Sequence, residues 1–247
     1  MQIAIRRWLL LFVTIGSLIL GACSTPPVAS LNASDRSTGA TTTQANNPQG
    51  SNLPKLEGKA TVVLKVKGAP ITIEVDGTNA PITAGNFVDL VQRGVYNGTM
   101  FHRVVRQPQP FVVQGGDPQG KDPKVPADSL GTGSFIDPDT SQVRYIPLEI
   151  KPKDGEEPLY SETFDKAGIS KPPVLKHTRG AVAMARSSAP DSASAQFYFA
   201  LADLSFLDGN YAVFGYVTEG MDIVDKIQIR DRIDSAEVIQ GGENLKK

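Results

Sequence analysis

The sequence predicts a mainly β domain, a closed barrel or a sandwich, carrying two helices. Glycine (23) and proline (18) together make about 17% of the 247 residues, which favours turn-rich strand architecture over a helix bundle. Short alternating or β-branched runs recur at close spacing through the last three-quarters of the chain. Only two stretches carry helical periodicity, too few for the repeated strand–helix–strand units of a parallel sheet.

Upstream of that domain the chain reads as an address. Arg6 and Arg7 precede a nearly uncharged apolar run, Trp8 to Leu20, which is too short to span a bilayer core and suits the h-region of a signal peptide. Leu20-Gly21-Ala22-Cys23 resembles the bacterial lipobox. That resemblance implies removal of residues 1–22, a diacylglycerol on the Cys23 thiol and an acylated, palmitate-type new amino terminus. Two or three acyl chains hold a protein on a membrane, so the expectation is an exported, lipid-anchored protein facing the periplasm or another extracytoplasmic space. Residues 23–57, rich in Ser, Thr, Asn, Gln and Pro, cannot bury enough surface to order themselves and read as a lipidated flexible linker. Residues 58–247 suit one domain. It holds 21 bases and 24 acids, a charge near −3 that gives no footprint for nucleic acid. Cys23 is the sole cysteine, which excludes an intrachain disulfide or a zinc ribbon. Two histidines, His102 and His177, argue against a metal site.

Within the domain, Thr61 to Lys67 and Ile71 to Asp76 flank Gly68-Ala69-Pro70 and read as a hairpin. Ala80 to Gln92 sets Ile82, Phe87, Leu90 and Val91 on one helical face, with Thr78 or Asn79 as cap and Gly94 as stop. Strands are expected near Thr99–Val105, Phe111–Gln114, Ala181–Ala185, Gln196–Leu201 and Tyr211–Val217, and a second helix over Glu219 to Ile227.

Three catalytic-looking motifs fail on their own chemistry. Gly115 to Lys121 follows a phosphate-binding loop for seven positions, but Asp122 stands where a magnesium-binding hydroxyl belongs. Asp137-Pro138-Asp139 starts like a calcium loop, yet Gln142 replaces the turn glycine and Leu148 the bidentate glutamate. The serines at 187–194 lack a nucleophile elbow, and His177 has no acidic partner assignable from sequence.

What remains is an ordered set: Phe101-His102-Arg103-Val104-Val105, Phe111-Val112-Val113-Gln114-Gly115-Gly116-Asp117, Ala183-Met184-Ala185-Arg186, Gln196-Phe197-Tyr198 and Phe206-Leu207-Asp208-Gly209. Together with Tyr96-Asn97-Gly98-Thr99 and Val213-Phe214-Gly215, it closely resembles the cyclophilin family of peptidyl-prolyl cis-trans isomerases over about residues 58–240. The resemblance implies a closed eight-stranded antiparallel β-barrel capped by two α-helices. It also implies a cofactor-free monomeric isomerase acting on proline-containing polypeptides.

By the same resemblance Arg103 is the catalytic residue. Phe111, Val112, Tyr198, Phe206, Leu207 and Tyr211 line a proline pocket, Gln114 hydrogen-bonds the substrate backbone and Gln196 supports it. Ala185 and Arg186 contact the residues before proline, and His102 orients the site. His177 reads as structural. The chain departs from the family pattern at Val112 (commonly Met), Tyr198 (Phe), Arg186 (Asn), Phe206 (often Trp) and Tyr211 (often His). The loss of the indole N–H implies weakened cyclosporin binding, and Arg186 an altered charge preference. Residues 106–110 and 118–173 are longer than usual and could border the groove. Two other functions compete with the isomerase: a proline-segment binding module or holdase with weak turnover, and a lipoprotein core serving another purpose such as transporter substrate capture.

Overall fold

The computed structural model describes residues 53–247. The expected signal peptide, Cys23 and most of the linker lie outside the described residues. In chain order the elements are β1 (Lys55–Leu56), β2 (Lys59–Val66), β3 (Ala69–Asp76), α1 (Pro81–Gln92), β4 (Arg103–Val105), β5 (Val112–Gly115), β6 (Ile136–Asp137) and β7 (Gln142–Val143). They continue as β8 (Glu149–Ile150), β9 (Leu159–Tyr160), β10 (Ala181–Met184), β11 (Phe197–Ala200), β12 (Val213–Glu219), α2 (Met221–Val224), β13 (Ile233–Gln240) and β14 (Leu245–Lys246). Among them no helix is long and apolar enough to cross a membrane.

Eight strands form one antiparallel sheet in the order β13-β2-β3-β12-β10-β11-β5-β4. The expected hairpin is its β2–β3 pair, one strand in from the β13 edge. Lys67 and Gly68 make the two-residue turn with φ of 52° and 76°, the doubly left-handed geometry whose twist matches a hairpin. The expected closure is not seen: the sheet is an open, curled half-barrel. Its edges β4 and β13 share no ladder and meet only upstream of both, through the isolated bridge Met100↔Arg232. Phe101 N–H donates to Asp231 O at 2.8 Å and Ile233 N–H to Thr99 O at 2.9 Å there. The edge strand β4 is short because Pro108 and Pro110 follow it, and neither has an N–H to extend a ladder.

Three other expectations shift. Glu219 belongs to β12, and Gly220, at φ 90°, separates it from a second helix of only four residues instead of 219–227. Strand β13 was not expected, since register shifts at Ile233/Ser235 and Val238/Gln240 break the two-residue alternation that would reveal it. The folded unit also includes residues upstream of Gly58: β1 pairs with β14, and Leu56 is fully buried.

Helix α1 begins one residue after Ala80, and neither Thr78 nor Asn79 caps it. Its first turn is held from 67 positions away. Glu149, buried in the long segment before β10, accepts from Ile82 N–H at 3.1 Å and Thr83 N–H at 2.7 Å. A carboxylate suits the positive end of a helix. Farther along α1, fully buried Asp89 meets Arg93 and Arg144 at 2.8 Å each and Lys247 at 2.6 Å. Burial alone would push Asp89 up, but these cations overcome it and hold its carboxyl below the usual range. The main core lies between α1 and the inner face of the sheet. At its centre Phe87 packs on Tyr96, Phe197 and Phe214 with centroids 4.8–5.4 Å apart.

Replacing Glu149 with Ala should strand two buried N–H groups. The expected loss is about 2–3 kcal/mol of unfolding free energy, read from the urea midpoint, with Glu149→Gln losing about half as much.

Candidate active site

The alternation of side chains across four strands builds the site on the outer face of the sheet. Register places Arg103 opposite Gln114, Gln114 opposite Tyr198, and Tyr198 opposite Ala183. Successive residues point to opposite faces, so these four share one side. Their neighbours Val113, Phe197, Phe199, Val182 and Met184 enter the main core. Strands β10 and β11 are therefore buried on both faces. Ala181, Ala183, Tyr198, Ala200, Val112, Leu204 and Val213 form a second apolar cluster beneath the site.

A cavity of about 160 Å³ opens over that cluster, lined by Arg103, Phe111, Val112, Gln114, Ala185, Arg186, Tyr198, Leu207 and Tyr211. Nine of the expected site residues thus converge on one pocket. Phe206 stands on its rim, 67% exposed, stacked on Phe111 at 6.0 Å. Tyr211 meets Tyr198 edge-on at 6.2 Å. Gln196 lies behind the pocket, and His102 lines neither it nor the adjacent cavity. Neither ring nitrogen of His102 has a hydrogen-bond partner among the described residues. Burial pushes its pKa down, against the pull of Asp117, so the ring packs beside the site as a neutral group.

Arg103 is exposed on β4, its guanidinium carbon 5.4 Å from the Phe111 centroid. Its Nη1 donates to Gln114 Oε1 at 3.3 Å, Gln114 Nε2 donates to Gln196 Oε1 at 3.2 Å, and Gln196 Nε2 donates to Gly133 O at 2.8 Å. The last acceptor is fixed by Asp117, a fully buried carboxylate that accepts from the N–H groups of Gln119, Gly131 and Gly133 at 2.7–2.9 Å. A Cβ on Gly133 would collide with that carboxylate, so the position requires glycine. The phosphate-loop look-alike is thus a turn capped by Asp117, and Lys121 is spent on Gly94 O at 2.9 Å. Likewise the calcium-loop look-alike is the turn between β6 and β7. Among the described residues no cluster of His, Cys, Asp and Glu could hold a metal ion.

Two residues behave differently from their sequence reading. Arg186 donates to Asn210 O at 2.7 and 3.1 Å and to Ser187 O at 2.8 Å, and it stacks over Tyr211 at 4.7 Å. Its charge serves to clamp two loops together at the pocket wall. His177 does have an acidic partner, Asp208, 31 positions away. Asp208 accepts from both the backbone N–H and Nδ1–H of His177 at 2.8 Å, leaving Nε2 to accept the Tyr198 hydroxyl at 3.0 Å. Burial keeps the Tyr198 phenol protonated and lowers His177, while Asp208 opposes the latter. The pocket floor is thereby tied to the turn bearing Phe206 and Leu207. The adjacency of Asp208 to Leu207 was the only sequence signal for this link.

The outer face of a curled antiparallel sheet thus carries an exposed arginine beside a small aromatic pocket. The profile for the family described as "Cyclophilin type peptidyl-prolyl cis-trans isomerase/CLD" matches residues 61–243. A Synechocystis protein named as a thylakoid lumen peptidyl-prolyl cis-trans isomerase is 42% identical over 205 residues, covering 79% of this chain and 51% of the relative. The Acinetobacter baylyi peptidyl-prolyl cis-trans isomerase is 36% identical over 171 residues, 67% of this chain and 70% of its own. A Cryptosporidium parvum cyclophilin-type isomerase crystal structure superposes with a TM-score of 0.54 at 22% identity, over 73% of this chain and 97% of that one. The chain belongs to the cyclophilin-type peptidyl-prolyl cis-trans isomerase family. It spans about half the length of the first curated relatives it matches.

Tyr198→Phe keeps the ring but leaves His177 Nε2 without its donor. The expected cost is about 1 kcal/mol of stability, measured by urea unfolding.

Proposed function

We propose that this protein is a peptidyl-prolyl cis-trans isomerase, with Arg103 as its catalytic residue. The observation that carries the reading is the Arg103 guanidinium, pinned through Gln114 at the mouth of a cavity sized for a pyrrolidine ring. Rotation of the peptide bond costs about 18–20 kcal/mol because it sacrifices amide resonance. At the twisted transition state the prolyl nitrogen regains a basic lone pair. A fixed N–H donor aimed there stabilises the transition state above either ground state. Arginine suits the task because it stays protonated and its fork can hold the substrate carbonyl as well. Among the described residues Arg103 gives one hydrogen bond, to Gln114, and keeps its other donors for substrate. Phe111, Val112, Tyr198, Leu207 and Tyr211 seat the ring, with Phe206 above them. Gln114 binds the substrate backbone and Gln196 orients Gln114, while Ala185 lies along the residue before proline. No covalent bond breaks, so the reaction needs no cofactor or general base. A relative of the same fold, from Cryptosporidium parvum, was crystallised in the presence of the dipeptide Ala-Pro.

The expected result is faster cis-trans exchange of a short Xaa-Pro peptide by the wild-type protein. Arg103→Lys, which keeps the charge but loses the fork, should lower kcat/KM by about 100-fold. Peptide binding without acceleration would instead identify a binding module or holdase.

We also infer that residues 1–22 are removed and that Cys23 is acylated, placing a monomeric domain on the outer side of a membrane. The Leu20-Gly21-Ala22-Cys23 string supports this, as do relatives named for the thylakoid lumen and the chloroplast. Mass spectrometry of the membrane fraction should find a mature chain beginning at diacylglyceryl-modified Cys23. An unmodified thiol there would overturn the assignment.

A further inference from the structure

The β6–β7 hairpin is built with its polarity reversed. Ile136 pairs with Val143, and Arg144 N–H donates to Phe135 O at 2.9 Å, continuing the ladder by one pair. The side turned into the domain carries Phe135 and Arg144. The Arg144 side chain is only 8% exposed. It lies 4.6 Å from the Phe135 centroid, 2.8 Å from buried Asp89 and 3.7 Å from Asp137. The opposite side carries Ile136, Val143 and Tyr145, exposed by 61%, 40% and 45%. A surface hairpin normally turns apolar side chains inward and charge outward. Here the charge is buried in an ion cluster that braces the hairpin against α1, and large apolar side chains stand in water. Such a strip marks a contact surface.

Its position says for what. Tyr145 and Ser134 line a cavity of about 320 Å³ whose other walls include Gln114, Ala185, Arg186 and Gln196. Three of these, Gln114, Ala185 and Arg186, also line the proline pocket. The apolar strip is therefore continuous with the isomerase site, and Phe206 extends the apolar surface on the pocket rim. Three side chains fall far below the roughly 800 Å² per partner that a stable dimer buries, which favours a narrow occupant over a second copy.

We propose that the outer face of the β6–β7 hairpin docks the substrate polypeptide itself, holding apolar side chains that flank the isomerised proline in an extended chain. The inference rests on the isomerase reading and adds a sequence preference to it: apolar side chains on the residues that flank the proline. Alternation along an extended substrate lets every second side chain meet the strip while the proline sits in the pocket.

The test compares full-length wild-type protein with the double variant Ile136→Thr, Val143→Thr, which keeps β-branched residues on the hairpin. Isomerisation is measured on an Ala-Pro tetrapeptide and on two peptides of about twelve residues with proline at the centre, one with Leu and Val flanks and one with Ser and Asn flanks. Wild type should favour the apolar long peptide over the polar one by about tenfold in kcat/KM, as burial of one or two aliphatic side chains would give. The double variant should keep the tetrapeptide rate and lose that preference. An equal preference in both proteins, or none in wild type, overturns the proposal. So does a wild-type dimer in sedimentation that the variant abolishes, because the strip would then serve self-association. Failure of the isomerase reading shows separately, as no turnover of the tetrapeptide by wild type. If the double variant loses its fold, Ile136→Thr alone, at the most exposed position, carries the same comparison.

Discussion

The buried carboxylate of Asp117 is the constraint from which the site's geometry follows. It gathers three backbone N–H groups and folds the segment leading to Gly133. Gly133 O then fixes the Gln196 amide, Gln196 fixes Gln114, and Gln114 fixes Arg103. An exposed arginine on a three-residue edge strand would otherwise sample many rotamers, and fixing any one of them would cost entropy. The relay moves that ordering into folding. It is polar throughout, and at its buried end the Asp117 carboxylate and the Gln196 amide each find partners, which is what a buried polar group requires.

A second linkage fixes the pocket's width. Tyr198 reaches through the sheet's outer cluster to His177, which Asp208 orients. Arg186 clamps the loop after β10 to the loop before β12. These contacts join the floor strand to both rims by hydrogen bonds, so the aromatic residues around the pocket keep their spacing without relying on apolar packing alone. Phe206 is outside this arrangement and stands exposed on the rim, against Phe111.

Much of this was legible in the sequence because strands declare themselves by alternation. The runs at 61–67, 71–76, 111–114, 181–185 and 196–201 each became a strand, and nine residues that the motif order singles out line one cavity. Strand β13 stayed hidden because two bulges disrupt its period. Closure was over-expected because the two edge strands touch only at Met100 and Arg232, ahead of both, and no local motif states how far that contact runs. The linkages that set side-chain orientation were the least visible. Glu149 to α1, His177 to Asp208 and Arg144 to Asp89 join residues 31 to 67 positions apart, and local pattern carries no information at that range. Arg186 lines the groove as its motif suggests, but the backbone carbonyls of Ser187 and Asn210 that engage its donors leave no mark in the local pattern.

The pairing of β1 with β14 has a mechanical meaning. The chain upstream of residue 53 enters the domain through a two-residue ladder with Leu245 and Lys246, below which Leu56 is buried. Tension arriving along that upstream chain loads this short ladder first. The eight-stranded sheet, with Arg103 at its far edge, is reached only after β1 has been peeled away. The ladder and the packing of Leu56 thus stand between the upstream chain and the strands that shape the pocket.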